Sequence, residues 1–355
     1  MCLLGRGNDN RPKIEEFNGF QIIRAGAGLP AKFSIPVSFN PLWRKEIAEA
    51  ISYFKPDIVI PREVMLAEAA ADISHRKNIP VILDMAENYP EVMRGWKKYY
   101  NRYLYRIPVH YLKIPDKIEK NSVQKSDGII TVCDEMKNRI SQIYNYSSEK
   151  IEVVHNTPCL EHFDGVRTGS SNPPKIFAYH GYINYERNLE MLIRGFIIAS
   201  ERNPEIELVL AGEGEEYDDL LRLANNSPAK DKIHFRGKYS FGDLNRLMSE
   251  MDVGILPYRL NDHINFTISN KLFDYIAVGK PVIVAEAPPM IRIIQETETG
   301  ISADCSDENA IAEAICSISD YDLEAFSKNG IKAAKNKYNW DTDINILINF
   351  LNKYL

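Results

Sequence analysis

Strand-like apolar runs alternate with segments of helical periodicity along almost the whole chain, and this order constrains the fold more than any other feature. In the first half, apolar runs lie at 20–24, 57–60, 80–84, 128–132 and 151–154. In the second half, they lie at 175–179, 206–210, 232–235, 253–256 and 281–285. Strands that alternate with helices form parallel sheets with helices on both faces. The sequence therefore predicts an α/β fold.

The chain is long enough for two domains, because its 355 residues exceed one ordinary hydrophobic core. A polar stretch rich in Gly, Ser and Pro interrupts the periodicity near residue 170. We predict two similar, Rossmann-like domains that face one another across a cleft. The predicted limits are an N-terminal domain at 1–165, a linker at 166–174 and a C-terminal domain at 175–337, with a helix at 338–355 that packs back on the first domain.

Several classes of protein are disfavoured by the composition. No apolar run approaches the length of a spanning helix, so we predict a cytoplasmic location. The five cysteines are scattered and odd in number, which indicates reduced thiols rather than disulfides or a zinc site. The net charge of −6 argues against general affinity for nucleic acid.

Two basic residues follow strand-like runs and are predicted in the first turn of a helix. Arg187 comes shortly after Gly181, and Lys271 comes directly after Ser269 and Asn270. A cation is disfavoured at this end of a helix, but a bound anion would reverse that effect. The pair therefore predicts a site for the diphosphate of a nucleotide. Two alternatives stay open, in which Lys271 pairs with Asp274 and Arg187 is a solvated residue beside Glu190.

Residues 270–283 resemble the donor-site helix of family 4 glycosyltransferases, which are enzymes of the GT-B architecture. Further similarities in the second half are Gly212-Glu213-Gly214, Phe235-Arg236-Gly237, the linker and the tail that begins near Trp340. The resemblance covers nearly all of the second half. In the first half it is looser and rests on residues 84–90, 129–132 and 153–156.

The resemblance implies a metal-independent, retaining enzyme that needs no cofactor and takes a UDP- or GDP-linked sugar. The sugar would go to a glycan or a lipid-linked acceptor in surface polysaccharide synthesis of the bacterial type. Cations and N–H groups stabilise the charge that develops on a departing diphosphate. We assign Arg187 and Lys271 to the diphosphate and Asp274 to the ribose hydroxyls. The remaining donor-binding candidates are His180, Gly181, Glu213, Ser269 and Asn270.

The chain also departs from the family pattern in ways that leave other functions open. Many members carry an acid eight positions before Asp274, where this chain has Phe266, and an arginine where it has Tyr182. The first residues resemble a second strand, as if the first strand-loop-helix unit were lacking. The alternatives are a nucleotide-sugar epimerase of the same architecture and a catalytically silent, sugar-nucleotide-binding partner subunit.

Candidates for acid or base catalysis are Asp84 and Glu87, which lie at the end of a predicted strand. Glu87 is open to a second interpretation, as the start of the following helix. His180 and His263 either reach the donor sugar or are structural. No metal site is predicted, because Asp341 and Asp343 are better explained by the start of the last helix.

A basic and aromatic segment at 93–120 predicts contact with a membrane. Eight Lys or Arg residues stand there against two acids and are interleaved with Trp and Tyr. On a helix the aromatic and cationic residues form separate faces, which suits either an anionic membrane or burial of the aromatic face in the domain. We predict a lipid-linked acceptor at the inner membrane face, with contact through Trp96, Lys97, Lys98, Arg102 and Arg106.

Overall fold

The computed structural model describes residues 1–7, 11–26, 30, 33–96 and 106–355. Contacts divide the chain into a first unit of residues 1–154 with 346–355 and a second unit of residues 155–345. Both units contain parallel strands and helices, so the predicted α/β class is confirmed. Among the described residues, no helix has both the length and the apolar character that crossing a membrane requires.

Residues 155–174 group with the second unit, whereas the sequence places them at the end of the first domain and in a linker. Hydrogen bonds explain the difference. The Asp252 carboxylate accepts the backbone N–H groups of Ser171, Lys175 and Ile176 at 2.8–3.0 Å. The buried Lys280 ammonium also donates to the Gly169 carbonyl at 2.6 Å. The segment is therefore fastened to the second unit rather than loose.

Among its described residues, the first unit has two three-stranded sheets. Strands β1 (Cys2–Arg6), β2 (Ile14–Phe17) and β3 (Phe20–Ala25) are ordered β1-β3-β2, and β2 is antiparallel to β3. Strands β4 (Ile82–Met85), β5 (Gly128–Thr131) and β6 (Ile151–Val153) are parallel and ordered β4-β5-β6. The predicted strand at 57–60 contributes one isolated bridge, Val59–Val81, next to the start of β4, and Arg62 forms a second with Asp84 of β4.

The helices of the first unit include α1 (Pro41–Phe54), α2 (Ala67–Ser74), α3 (Tyr89–Gly95), α4 (Ile114–Lys125) and α5 (Asp134–Tyr144). The sequence periodicity predicts helices at about 41–54 and about 62–77. Helix α1 has the first of these limits, because Asn40 caps its start and Pro41 occupies its first position. Helix α2 begins only at Ala67, later than predicted. Glu63 has a φ of +61°, which is outside the helical region and delays the start.

The second unit is built on one six-stranded parallel sheet ordered β12-β11-β10-β7-β8-β9. Its strands are β7 (Ile176–His180), β8 (Glu207–Ala211), β9 (Ile233–Gly237), β10 (Val253–Leu256), β11 (Val282–Ala285) and β12 (Gly300–Ala303). The order reverses beside β7, whose neighbours are β8 on one side and β10 on the other. Such a switch point leaves a crevice at the carboxyl ends of the strands.

The helices of the second unit are α6 (Leu189–Arg202), α7 (Tyr217–Asn225), α8 (Phe241–Glu250), α9 (Asn270–Ala277), α10 (Pro288–Thr297), α11 (Glu308–Ser317) and α12 (Leu323–Asn336). The last helix, α13 (Trp340–Leu351), leads to the tail, which groups with the first unit from residue 346. There Phe350 packs against Ile82, Ile130 and Val154. The tail thus covers the β4-β5-β6 sheet.

Candidate functional site

The loops that follow β7, β8 and β9 are hydrogen-bonded to one another at the switch point. The Gly181 N–H donates to the Ala211 carbonyl at 2.8 Å, and the Gly212 N–H donates to the Gly237 carbonyl at 2.8 Å. The Ile183 N–H donates to the Glu213 carbonyl at 2.9 Å. These bonds fix the backbone where an α/β sheet ordinarily binds its ligand.

Glycine is required at two positions in these loops. Gly181 has a φ of +125°, and a Cβ atom on it would lie 2.1 Å from Cε of Lys271. Gly212 has a φ of +148°, and a Cβ atom on it would lie 1.8 Å from the Gly181 carbonyl oxygen. Any other residue would clash and be strained. The Lys271 side chain therefore lies directly against the loop after β7, which brings the two sequence motifs together.

Lys271 is the second residue of α9, as predicted from the sequence. Its ammonium lies 5.9 Å from the centre of the Tyr179 ring and is hydrogen-bonded to the Tyr258 hydroxyl. Within the described part of the chain, no side chain caps the start of α9. The Leu272 N–H donates to the Ser269 carbonyl at 3.1 Å, which leaves the N–H groups of Asn270 and Lys271 as the ones at this helix start that a ligand could engage. Lys271 adds a positive charge at the same place.

Arg187 lies outside a regular helix, and its predicted position in a first helical turn is wrong. It ends a 3₁₀ turn, Tyr185–Arg187, and α6 begins only at Leu189. Asn188 lies between them with a φ of +56°, which stops the turn from continuing into α6. The Arg187 guanidinium carbon lies 4.6 Å from the centre of the Tyr258 ring. Arg187 and Lys271 therefore contact the same tyrosine.

The two alternative pairings find little support in the contacts. Glu190, the suggested partner of Arg187, forms an ion pair with Arg194 at 2.8 Å. Asp274 lies 3.9 Å from Nε2 of His180, and Lys271 acts on it through its charge. Both cations therefore contact the aromatic side chain of Tyr258 rather than the acids suggested as their partners.

His180 and Asp274 form a buried pair beside Lys271. His180 is only 3% exposed, and its Nδ1 lies 3.1 Å from the Tyr239 hydroxyl. Burial lowers the pKa of His180 to about 3, with help from the Lys271 charge. Burial also raises the pKa of Asp274 to about 7, against the pull of Lys271. At neutral pH the imidazole is uncharged, and the carboxyl group is close to its midpoint of ionisation.

The remaining donor-binding candidates lie at the same edge of the sheet. Ser269 precedes α9, and its hydroxyl shares a hydrogen bond of 2.8 Å with that of Tyr258. Asn270 is exposed at the first position of α9. Glu213 is exposed and pairs with Lys238 at 3.1 Å. A pocket of about 120 Å³ lies next to Lys238, lined by Ala211, Arg236, Lys238, Tyr239, Asp243, Arg246 and Leu247.

His263 and Tyr258 are further residues of this edge. His263 is 8% exposed, and burial together with the Arg187 charge lowers its pKa to about 4. Tyr258 is 2% exposed and contacts both cations, but it is not among the donor-binding residues predicted from the sequence. The available signal was its position just after the predicted strand at 253–256. An uncharged tyrosine next to an apolar strand does not by itself indicate an anion site.

Asp84 and Glu87 belong to the first unit, at the carboxyl end of β4. Asp84 accepts a hydrogen bond of 2.5 Å from Arg62. Glu87 lies in the loop between β4 and α3, and α3 begins at Tyr89, so Glu87 does not start the helix. The strand-end interpretation of Glu87 is the one that agrees with the fold.

Glu63 is a second residue that the sequence analysis missed. Its N–H donates to the Asp84 carbonyl at 2.8 Å, and its Oε1 accepts the Ala86 N–H at 3.2 Å. Burial raises the pKa of Glu63 to about 8, and the charge of Glu87 adds to the effect. A non-glycine residue with positive φ is strained and is enriched at functional sites. The available sequence signal was an acid three residues after the apolar run at 57–60.

The predicted membrane residues are described only in part. Trp96 directly follows α3 and is 38% exposed, and its ring meets that of Tyr89 edge-on. Lys97, Lys98 and Arg102 lie outside the described residues. Arg106 precedes a short π-helix, Ile107–Tyr111, and its guanidinium carbon lies 6.0 Å from the Tyr111 ring. Tyr111 and Leu112 are exposed at 66% and 54%.

Acids and cysteines elsewhere do not form a metal centre among the described residues, since no three His, Cys, Asp or Glu side chains are grouped suitably. Asp341 and Asp343 begin α13. Asp343 is buried and accepts a hydrogen bond of 2.5 Å from the Thr157 hydroxyl. Its role in the described structure is therefore to hold the start of α13.

Two family models match the chain, one on each half. The model described as Glycosyltransferase Family 4 matches residues 3–157, and the model described as Glycosyl transferases group 1 matches residues 174–320. An uncharacterised glycosyltransferase of Methanocaldococcus jannaschii is 25% identical over 237 residues, which cover 63% of this chain and 59% of that protein. Glycogen synthase of Mycobacterium tuberculosis is 21% identical over 290 residues, which cover 82% of this chain and 66% of the synthase. The chain thus spans 59% and 66% of the length of these relatives.

A similar fold occurs among solved structures. HepE of Anabaena, crystallised in complex with UDP, superimposes with a TM-score of 0.71 at 13% identity. The match covers 94% of this chain and 86% of HepE. At this identity the likeness establishes the fold alone.

Proposed function

Because this chain belongs to glycosyltransferase family 4 and has the GT-B fold with two Rossmann-like domains, we propose that it transfers a sugar from a nucleotide-sugar donor to a glycan or lipid-linked acceptor. The reaction breaks the bond between the anomeric carbon and the diphosphate oxygen. A hydroxyl oxygen of the acceptor takes the anomeric carbon and releases its proton. We assign the product to polysaccharide or glycoconjugate synthesis.

The observation that carries this proposal is the contact of Lys271 with Gly181 at the switch point of the second unit. The donor diphosphate gains negative charge as the sugar leaves. Lys271, Arg187 and the N–H groups at the start of α9 are already in place to stabilise that charge. Because these groups do not have to be reorganised during the reaction, they favour the transition state. In this proposal the two cations supply the charge that a metal ion provides in other transferases.

We propose that the ribose of the donor binds near Asp274 and that His180 helps to shape this pocket. An ionised carboxylate accepts hydrogen bonds from two neighbouring hydroxyl groups. The neutral imidazole of His180 lies 3.9 Å from that carboxylate, so it adds no charge of its own. Glu213, Ser269 and Asn270 lie at the same edge and complete the donor site. UDP is the first nucleotide to test, because HepE was crystallised with it.

The carboxyl groups at the end of β4 are proposed to act on the acceptor. Asp84 is held by Arg62, and Glu87 lies in the next loop. A carboxylate at such a place can accept the proton of an attacking hydroxyl group. We further propose retention of the anomeric configuration, on the resemblance to the family alone.

We propose that the enzyme works at the inner face of the membrane when its acceptor is lipid-linked. The exposed side chains of Trp96, Tyr111 and Leu112 lie in the same stretch of chain as Arg106 and Lys113. Aromatic and aliphatic side chains beside cations suit an anionic lipid surface. Sedimentation with anionic liposomes at low salt tests this part, and failure to pellet would contradict it.

The function itself is tested with a panel of nucleotide sugars and nucleoside diphosphates. A matching nucleotide should raise the midpoint of thermal unfolding, because ligand that binds only the folded state stabilises it. The matching sugar conjugate should then give transfer to an added glycan or lipid-linked acceptor. Conversion of the sugar without any acceptor would favour an epimerase. Tight nucleotide binding without transfer or hydrolysis would favour a silent binding subunit.

A further inference from the structure

We propose that Tyr258 is a positioning residue, which holds Lys271 and Arg187 in the arrangement that receives the donor diphosphate. This inference rests on the proposed function for its consequence in catalysis. Its structural part concerns only the contacts among the three side chains, which can be tested separately.

Tyr258 contacts both cations through different parts of its side chain. Its ring lies 4.6 Å from the Arg187 guanidinium carbon, within the range of a cation–π interaction. Its hydroxyl group is hydrogen-bonded to Lys271 and to the Ser269 hydroxyl. One rigid side chain therefore fixes a planar cation by its face and a flexible cation by its edge. Lys271 on its own would sample several rotamers.

The loop carrying Tyr258 is tied to the turn carrying Arg187. The Arg259 N–H donates to the Glu186 carbonyl at 3.0 Å. The Arg259 guanidinium carbon lies 4.2 Å from the Tyr185 ring. The loop after β10 thus contacts the 3₁₀ turn through Arg259, the residue next to Tyr258. This explains how Arg187 is positioned even though it lies outside α6.

The charge on the Tyr258 hydroxyl depends on its surroundings. Burial opposes ionisation, but the charges of Lys271 and Arg187 and the hydrogen bond from Ser269 outweigh it and lower the pKa of Tyr258. The titratable groups around it come from β7, the 3₁₀ turn, the loop after β9 and α9, and are Tyr179, Arg187, Tyr239, Lys271 and Tyr275. An ionised Tyr258 would neutralise the cations and repel the diphosphate. Donor binding should therefore weaken at alkaline pH, below the ordinary titration range of tyrosine.

Tyr258→Phe tests the proposal, because it keeps the ring under Arg187 and removes only the hydroxyl group. We expect turnover to fall about tenfold to hundredfold, since a hydrogen bond to a charged group is lost. The KM for the donor should change by less than about threefold, and the alkaline limb of the pH profile should disappear. Tyr321→Phe is the matched control, because Tyr321 is 47% exposed and stacks on Phe326. It should leave turnover and the pH profile unchanged.

A second readout separates this proposal from the proposed function. The rate at which an amine reagent labels Lys271, followed by mass spectrometry, should rise in Tyr258→Phe because the ammonium loses its acceptor. This comparison needs no catalysis, so it still decides the positioning role if no nucleotide sugar is turned over. Unchanged labelling of Lys271 would overturn the proposal, and so would wild-type turnover together with a retained alkaline limb.

Ser269→Ala provides the test if Tyr258→Phe does not fold. It removes the 2.8 Å hydrogen bond to the Tyr258 hydroxyl and leaves the tyrosine in place. Because that bond lowers the pKa of Tyr258, its loss should move the alkaline limb of donor binding to higher pH. An unmoved limb in Ser269→Ala would contradict the proposal.

Discussion

The carboxyl edges of the two parallel sheets carry opposite chemistry. In the second unit the edge at β7 holds Lys271 and Arg187 against aromatic rings. In the first unit the edge at β4 holds Glu63 and Asp84 beside Arg62. One edge offers positive charge and N–H groups, and the other offers carboxyl groups, among which burial raises the pKa of Glu63 to about 8. The difference agrees with the proposal that the donor diphosphate binds in the second unit and the acceptor hydroxyl group in the first.

The two edges also reach unusual backbone conformations by different means. Gly181 and Gly212 have positive φ because another chain segment passes where a Cβ atom would be. Glu63 has positive φ although it carries a long side chain. At Gly181 and Gly212, the surrounding atoms leave no room for a side chain. At Glu63, a long side chain is accommodated at positive φ, and strained residues of this kind cluster at functional sites.

Replacement of Lys271 by Ala should have the largest effect, because it removes the cation that distinguishes the carboxyl edge of the second unit from that of the first. Loss of one preorganised donor to a developing negative charge should lower turnover about 100- to 1,000-fold. The free energy of unfolding should change little, because Lys271 is only partly buried. Steady-state kinetics and thermal unfolding measure both quantities. Lys332→Ala, at an exposed position of α12, is the matched control, and equal losses in the two variants would refute the assignment.

Gly181→Ala tests whether the position of Lys271 matters, because it should move this side chain without removing it. The new Cβ atom would lie 2.1 Å from Cε of Lys271 and would therefore displace that side chain. Turnover should fall about tenfold to hundredfold as a result. The strained φ should also lower the free energy of unfolding by about 1–3 kcal/mol. Gly5→Ala is the control, because among the described residues nothing lies within 4 Å of a Cβ atom there. Full turnover in Gly181→Ala would show that the position of Lys271 is unimportant.

Glu63→Gln tests the first unit through the pH dependence of stability. The raised pKa means that folded Glu63 keeps a proton that the unfolded chain releases between about pH 4.5 and 8. The wild-type protein should therefore lose stability as pH rises through that window, and the variant should lack this loss. Relative to wild type, Glu63→Gln should gain roughly 1–3 kcal/mol between pH 4.5 and 8.5. Urea unfolding at both pH values measures the gain, and a constant difference would mean that Glu63 titrates normally.

Asp274→Asn should have the smallest effect of these four. The pKa of Asp274 is about 7, so deprotonation near neutral pH creates the carboxylate that accepts ribose hydroxyl groups. Affinity of the wild-type protein for the matching nucleoside diphosphate should rise about threefold to tenfold from pH 6 to 8. Calorimetric titration should find no such rise in Asp274→Asn. The same slope in both proteins would remove Asp274 from the ribose site.

The regular parts of the fold could be predicted because their signals are local. The strands β7, β8, β10 and β11 are predominantly apolar runs, and Asn40 and Pro41 mark the start of α1. β12 was missed because Gly300–Ala303 is short and mixed in polarity. The start of α2 was placed too early because nothing in the sequence reveals the positive φ of Glu63.

The site was predictable in its motifs but not in its internal contacts. The position of Lys271 on α9 follows from its surrounding sequence. The 3₁₀ turn of Arg187 depends on the loop after β10, which is about 70 residues away in sequence. The role of Tyr258 likewise depends on side chains from three separate segments. Such long-range contacts leave no periodic trace, so they require the folded structure.

The proposed donor site requires that Lys271 and Arg187 hold a diphosphate at the switch point of the second unit. A crystal structure of the protein with a bound nucleoside diphosphate is the decisive measurement. We expect phosphate oxygens within hydrogen-bonding distance of Lys271 Nζ and the Arg187 guanidinium, beside Gly181. A diphosphate bound elsewhere, with both cations turned toward solvent, would refute this placement.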